Sequence, residues 1–168
     1  MSKSAENQEQ VPKEYLQAIG EVTVRWNALE GLLHLCLIKL LGKEMTEGRS
    51  HVVFAHMAFP QKLDVLSALI GELQLPPGHS LGRYKTEVQP LLKEAQTKRN
   101  LIIHSIYGVE EGRVLVSSVS ARGSLKMKQE PITLEEMTAV SSLIVRAGAT
   151  LFIAVTGHPP TQAPHNGQ

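Results

Sequence analysis

Apolar residues recur along most of this chain at spacings of three and four, which is the period of an amphipathic helix. The first helical run covers about residues 12–41. The second covers about 49–73 and either restarts or kinks at Pro60. The third covers about 81–104, and Pro90 marks either its true start or a kink. The first two thirds of the chain are therefore expected to be helical.

Beyond the third helix the period changes to two, which is typical of strands. The segments with this alternation are 106–109, 114–119 and 125–129. Turn residues separate them, so we expect a three-stranded antiparallel meander at about 106–130. Thr133 and Glu136 have the spacing of a capping box, which opens a last helix that reaches Val155. The fold class predicted is mainly α, a helical bundle with a short three-stranded antiparallel β meander before the last helix.

A chain of 168 residues suits one domain, which we place at 12–157. Residues 1–11 are polar, lack the apolar centre of a signal peptide and are expected to be flexible. Residues 158–168 are rich in proline and have no apolar pattern, which predicts a disordered tail. Polar residues interrupt both of the longest apolar segments, 29–41 and 139–155. Neither is expected to span a membrane.

The balance of charge is nearly even, because 17 Lys and Arg residues face 16 Asp and Glu residues. This balance does not indicate a nucleic-acid binder or a membrane-surface protein. Any recognition of phosphate must therefore depend on a local group of residues rather than on net charge. Cys36 is the only cysteine, which excludes an internal disulfide and favours a reduced, cytoplasmic location. Among His34, His51 and His56, the one pairing with a carboxylate at ligand spacing is His34 with Glu30, and this single i,i+4 pair is too little for zinc, so no metal site is predicted.

Candidate chemistry is concentrated at the end of the third helix, where Arg99, Asn100 and His104 fall within six residues. Arg99 interrupts an apolar stripe, and a guanidinium that is buried there needs an anionic partner. The apolar residues within about 80° of Arg99 on an ideal helix are Val88, Leu91, Leu92, Ala95, Ile102, Ile103 and Ile106. On the first helix, Glu30 lies about 40° from Trp26 on the apolar side. We therefore expect Glu30 and Arg99 to approach each other, either directly or through one water.

Asn100 and His104 are four residues apart and share one flank of the helix, whereas Arg99 and His104 are five apart and do not share a face. One phosphate reaches both only through the long arginine side chain or a distorted helix end. Alternatively, each protomer of a dimer supplies part of the site. A homodimer is favoured by a second apolar side of the first helix, formed by Leu32, Leu35 and Ile38.

Arg99, Asn100 and His104 resemble the R-N-x-x-x-H motif of HEPN-domain proteins. That helical superfamily includes RNA-cleaving toxins, defence nucleases and non-catalytic relatives. The long first helix with Trp26 and Glu30, followed by a later helix that ends in the motif, is similar to the family as well. The resemblance implies a metal-independent endoribonuclease without a cofactor. It also implies a homodimer whose partners are an RNA substrate and an antitoxin or regulatory protein.

The same resemblance implies a role for each motif residue. The RNA 2′-hydroxyl is the nucleophile, and His104 exchanges protons with it or with the leaving oxygen. Arg99 stabilises the phosphate oxygens, while Asn100 holds the ribose or the imidazole. The products are a 2′,3′-cyclic phosphate and a 5′-hydroxyl, and two motifs meeting at a dimer axis form one cleft.

Several residues have two interpretations. Lys62 either reaches a phosphate or snorkels to solvent from an apolar face. Ser105 and Tyr107 either line the site or begin the first strand. The motif residues are also compatible with a purely structural role, in which Arg99 is an ion-pair partner and His104 is a helix C-cap. The alternative function is therefore a non-enzymatic helical module that binds a nucleotide, RNA or a protein partner.

Overall fold

A computed structural model describes residues 10–42, 48–120 and 126–158. Within these ranges the chain is mainly helical, with a three-stranded antiparallel sheet before the last helix, so the predicted fold class is confirmed. The flexible segment expected at 1–11 and the tail expected at 158–168 lie almost entirely outside the described residues. The helices are α1 (Lys13–Leu40), α2 (Gly48–Ala55), α3 (Phe59–Glu72), α4 (Gln89–Ile103) and α5 (Leu134–Thr156), and the strands are β1 (Ile106–Glu110), β2 (Arg113–Ser120) and β3 (Lys126–Pro131).

The core lies chiefly between α1 and α5, which pack along each other. Val22, Trp26 and Leu33 of α1 are buried, as are Met137 and Leu151 of α5. Among the described helices, α5 alone is long and apolar enough to cross a membrane, a property that core helices of soluble proteins share. The expectations of no membrane contact and of a cytoplasmic location stay predictions.

α2 and α3 are separate helices, so the second helical run restarts at Pro60 rather than kinking there. Pro60 lies in the first turn of α3, where its missing N–H costs no hydrogen bond. The backbone N–H of Ala58 donates to Oε1 of Gln61 at 2.8 Å, which closes the start of α3.

The third helical run is not one continuous helix. A short 3₁₀ turn (Ser80–Arg83) leads into a π-helical turn (Tyr84–Val88), and α4 begins only at Gln89. Pro90 lies in the first turn of α4. Because proline has no N–H and its ring collides with the preceding turn, an α-helix cannot pass through it undisturbed. The prediction of a start at Pro90 is therefore right to within one residue.

The sheet has the order β1-β2-β3 and all its pairs are antiparallel, as the meander predicts. Tyr107 of β1 is opposite Val116 of β2, and both belong to the sheet face that packs on the helical core. Only His104 and Ser105 separate the last residue of α4 from the first residue of β1. The sheet is thus attached directly to the end of the helix that carries the candidate motif.

Candidate functional site

Arg99, Asn100 and His104 meet at one guanidinium nitrogen. Nη1 of Arg99 donates to Oδ1 of Asn100 at 3.0 Å and lies 3.1 Å from Nε2 of His104. A guanidinium has only donors, so Nε2 of His104 accepts this hydrogen bond, and the neutral imidazole carries its proton on Nδ1. Within the described chain Nη2 of Arg99 has no hydrogen-bond partner.

The end of α4 explains how residues five apart come together. His104 caps α4 with φ −105° and ψ 7°, and its N–H donates to the carbonyl of Asn100 at 3.1 Å. The backbone leaves the α-helical conformation at this residue, and the long arginine side chain covers the remaining distance. Arg99 and His104 therefore meet within one chain, while the binding of one phosphate by both stays a prediction. The imidazole itself is exposed.

Arg99 is held from the core side by an aromatic ring. Its Cζ atom lies 5.2 Å from the centre of the Trp26 ring, within the range of a cation–π interaction. Trp26 is 3% exposed, and its ring centre is 4.4 Å from that of Phe59. Nε of Arg99 is buried and has no hydrogen-bond partner in the described chain. Arg99 therefore lies on the apolar side of its helix, as predicted, and its guanidinium packs on the ring of Trp26.

The ion pair expected between Glu30 and Arg99 does not form. The ion pairs between described residues join Arg25 to Glu21, Arg83 to Glu87, and Lys128 to Glu130. Glu30 is half-buried on α1, one turn after Trp26. The aromatic ring of Trp26 occupies the place where a carboxylate was expected, and the Nη1 donor points toward the end of α4. The direct form of the predicted approach is wrong for that reason, and an approach through one water stays a prediction.

Ser105 and Tyr107 are turned toward the protein rather than toward His104. The hydroxyl of Tyr107 donates to the carbonyl of Ile102 at 2.7 Å, and burial raises the pKa of Tyr107 to about 12. Oγ of Ser105 is buried and has no partner in the described chain. Tyr107 therefore belongs to β1 and Ser105 directly precedes that strand, which favours a structural interpretation of both residues over one in which they line the site.

Lys62 lies on α3 and is 7% exposed, yet its ammonium has no hydrogen bond or ion pair with any described residue. Burial lowers the pKa of His34 of α1, and the charges of His51 and Lys62 lower that pKa further. Their grouping depends on how α2 and α3 fold back on α1, and no local spacing reveals it.

The second apolar side of α1 is partly covered within one chain. Ile38 is fully buried, Leu32 is half-buried and Leu35 is 37% exposed. Leu32 lines an apolar groove of about 360 Å³ between α1 and α5. Ile38 therefore gives no support to a dimer, because the monomer already buries it, whereas Leu32 and Leu35 remain available.

The family resemblance rests on six residues and on the order of the helices. In the described ranges, no group of three or more His, Cys, Asp or Glu side chains is arranged to hold a metal ion. Comparisons of the chain with models of protein families, with curated proteins and with solved structures find no match.

Proposed function

We propose that this protein is a metal-independent endoribonuclease of the HEPN type, acting as a homodimeric toxin or defence component in the cytoplasm. The observation that carries the proposal is the convergence of Asn100 Oδ1 and His104 Nε2 on Nη1 of Arg99. It supports a phosphate site because it joins a permanent cation to an imidazole that is neutral and exposed. An antitoxin or another regulatory protein would be the natural partner of such an enzyme.

In this proposal Nη2 of Arg99 takes a nonbridging oxygen of the scissile phosphate. Once Nη1 also turns to the phosphate, Nε2 of His104 is released and accepts the proton of the 2′-hydroxyl. The 2′-oxygen attacks phosphorus and the bond to the 5′-oxygen breaks, which yields a 2′,3′-cyclic phosphate. The leaving 5′-oxygen takes a proton from the His104 of a second copy across the dimer axis, which has to enter the reaction as an imidazolium, so one imidazole gains the proton that the other loses. Arg99 stabilises the charge that develops on the phosphorane oxygens.

The test is cleavage of a fluorescently labelled RNA by the purified protein in EDTA. The wild type is expected to release a fragment with a 2′,3′-cyclic phosphate end, and a 2′-deoxy substitution at the cleaved position is expected to block release. His104→Ala removes the proton acceptor, so its rate should fall by about 10²-fold or more. His56→Ala is the matched control, because His56 is exposed between α2 and α3. Cleavage that survives in His104→Ala contradicts the proposal.

A non-enzymatic binding module is the second candidate, and one observation favours it. Arg99 is already a hydrogen-bond partner of Asn100 and His104 and is stacked on Trp26, so the cluster is stable without a ligand. Such a cluster can recognise a phosphate through Nη2 without any proton transfer. RNA that is bound but left intact by the wild type, with binding weakened by Arg99→Met, would support this candidate over the nuclease.

A further inference from the structure

An open cavity of about 440 Å³ lies on the sheet side of α4, between that helix, β3 and the start of α5. We call it the α4–β3 cavity. Its volume is within the usual range of small-molecule sites, about 300–1,000 Å³. The apolar residues that line it include Leu101 and Ile102 of α4, Val116 of β2, and Ile132. Leu101 and Ile102 belong to the last turn of α4, which His104 caps, so the cavity adjoins the candidate motif.

Four charged side chains also line the α4–β3 cavity, and their charges cancel. Lys98 of α4 and Lys128 of β3 are positive. Glu130 of β3 and Glu136 of α5 are negative. Lys128 pairs with Glu130, while hydrogen bonds from Thr133 hold Glu136 at the start of α5. A cavity without net charge does not favour a bare phosphate, but its donors and acceptors suit an uncharged polar group.

Glu130 supplies an acceptor on the apolar side of the sheet. Its register partner is Val116, which is buried, so both side chains lie on the sheet face that packs on the helical core. Lys98 lines the same cavity from α4 and supplies a donor. A carboxylate only accepts hydrogen bonds, and an ammonium only donates them. A group that satisfies both must therefore present donors and an acceptor on one edge.

Guanine is the RNA base whose edge meets this requirement. Its N1–H and N2–H donors lie side by side, and its O6 acceptor lies next to them. Adenine and cytosine present one donor beside an acceptor, while uracil presents one donor between two acceptors. A carboxylate that used both oxygens on any of these three bases would meet an acceptor, which is unfavourable.

We propose that the α4–β3 cavity holds a guanine base of the RNA strand, next to the phosphate assigned above to Arg99. The carboxylate of Glu130 accepts from N1–H and N2–H, Nζ of Lys98 donates to O6, and the flat ring lies against Ile132. Lys98 directly precedes Arg99, so one strand can contact both side chains. This base preference rests on the RNA-directed function proposed above, in either its cleaving or its binding form.

Binding of short strands that cannot be cleaved tests the cavity separately from catalysis. Pentanucleotides with 2′-fluoro riboses carry uracil at every position except the centre, which is guanine, hypoxanthine or adenine. Fluorescence anisotropy should show the guanine strand binding at least about tenfold more tightly than the adenine strand. Hypoxanthine lacks the N2 donors, so its strand should fall between them. The δ1-methyl NMR signal of Ile132, identified by its loss in Ile132→Val, should shift with the guanine strand.

Variants of the two polar groups separate base recognition from general attraction to RNA. Glu130→Gln replaces one acceptor by a donor, so the preference for guanine over adenine should disappear. Lys98→Met should weaken the guanine strand about tenfold and the adenine strand less. Glu135→Gln and Lys93→Met remove the same charges from exposed positions outside the cavity lining and should keep the preference. Urea unfolding of each variant establishes that the fold is intact.

The guanine site and the nuclease can be refuted separately. Equal affinities for the guanine and adenine strands, a preference that survives in Glu130→Gln, or an Ile132 signal that does not move overturns the guanine site alone. Guanosine monophosphate that binds as tightly as the guanine strand overturns the assignment to a strand. A guanine preference in binding, together with RNA that stays intact in EDTA, supports the site and refutes only the nuclease. Failure of every strand to bind refutes both.

Discussion

Replacement of Arg99 by methionine separates the chemistry of the guanidinium from its contribution to stability. The variant loses the hydrogen bonds to Asn100 and His104, which are exposed and contribute about 0.5 kcal/mol each at the low end of the usual range. It also loses the contact of the guanidinium with Trp26, which contributes about 1 kcal/mol. Against this loss of about 2 kcal/mol, methionine removes the buried Nε that has no partner, a group that costs about 1 kcal/mol or more.

The net change expected for Arg99→Met is therefore a destabilisation of about 1 kcal/mol or less, because the regained free energy offsets about half of the loss or more. If the proposed nuclease activity is right, cleavage of RNA should instead fall by about 10²- to 10³-fold, because the group proposed to stabilise the phosphorane is gone. Urea unfolding followed by circular dichroism measures the first quantity, and initial rates on labelled RNA measure the second. NMR of the His104 ring should also show that the preference for the Nδ1–H tautomer is lost.

Arg146→Met is the matched control, because Arg146 is exposed on α5 and has no ion pair among the described residues. It should change neither unfolding nor cleavage. A loss of more than about 3 kcal/mol in Arg99→Met, accompanied by an undiminished rate per folded molecule, would refute the reasoning. Arg99 would then be a structural anchor and not a phosphate ligand.

Four other tests, on three residues, probe the surrounding structure. Tyr107→Phe should cost about 1 kcal/mol in urea unfolding near neutral pH through loss of the bond to Ile102, without affecting cleavage. In the wild type the raised pKa of Tyr107 should make stability fall between pH 10 and about 12, because the unfolded phenol ionises first, and Tyr107→Phe should weaken that fall. Cys36 is buried with its pKa raised to about 11, so a thiol reagent at pH 8 should label it only as fast as the protein opens; rapid labelling would contradict its burial. Thr133→Ala removes the capping box at the start of α5 and should cost about 1 kcal/mol in urea unfolding, and an unchanged midpoint would show that the cap is unimportant.

Hydrophobic periodicity predicts the helices and the sheet of this chain well, because it reflects local geometry. The capping box at Thr133 and the restart at Pro60 are likewise local, and both are found where the sequence predicts them. The π-helical turn before α4 is not predictable from the period, because its apolar spacing fits an α-helix as well. It lies directly before the first turn of α4, where Pro90 has no N–H to donate.

The sequence predicts which residues form the candidate site, but it does not predict the contacts that they make. Helical angles place Arg99 on the core stripe, yet they cannot tell whether a carboxylate or an aromatic ring of α1 faces it. Glu30 and Trp26 are only one turn apart, so a small shift of α4 along α1 exchanges one for the other. The effect of Lys62 on His34 is harder to predict, because it depends on how α3 packs against α1.

The junction between α4 and β1 is so short that a movement of the sheet would also move the candidate histidine. Ser105 is the only residue between His104 and the strand, and the hydroxyl of Tyr107 fastens that strand to the last turn of α4. A shift of β1 by one residue moves the backbone by about 3.3 Å, far more than the hydrogen bond between Arg99 and His104 tolerates. A protein that displaced β1 would therefore separate the imidazole from the guanidinium without touching either of them.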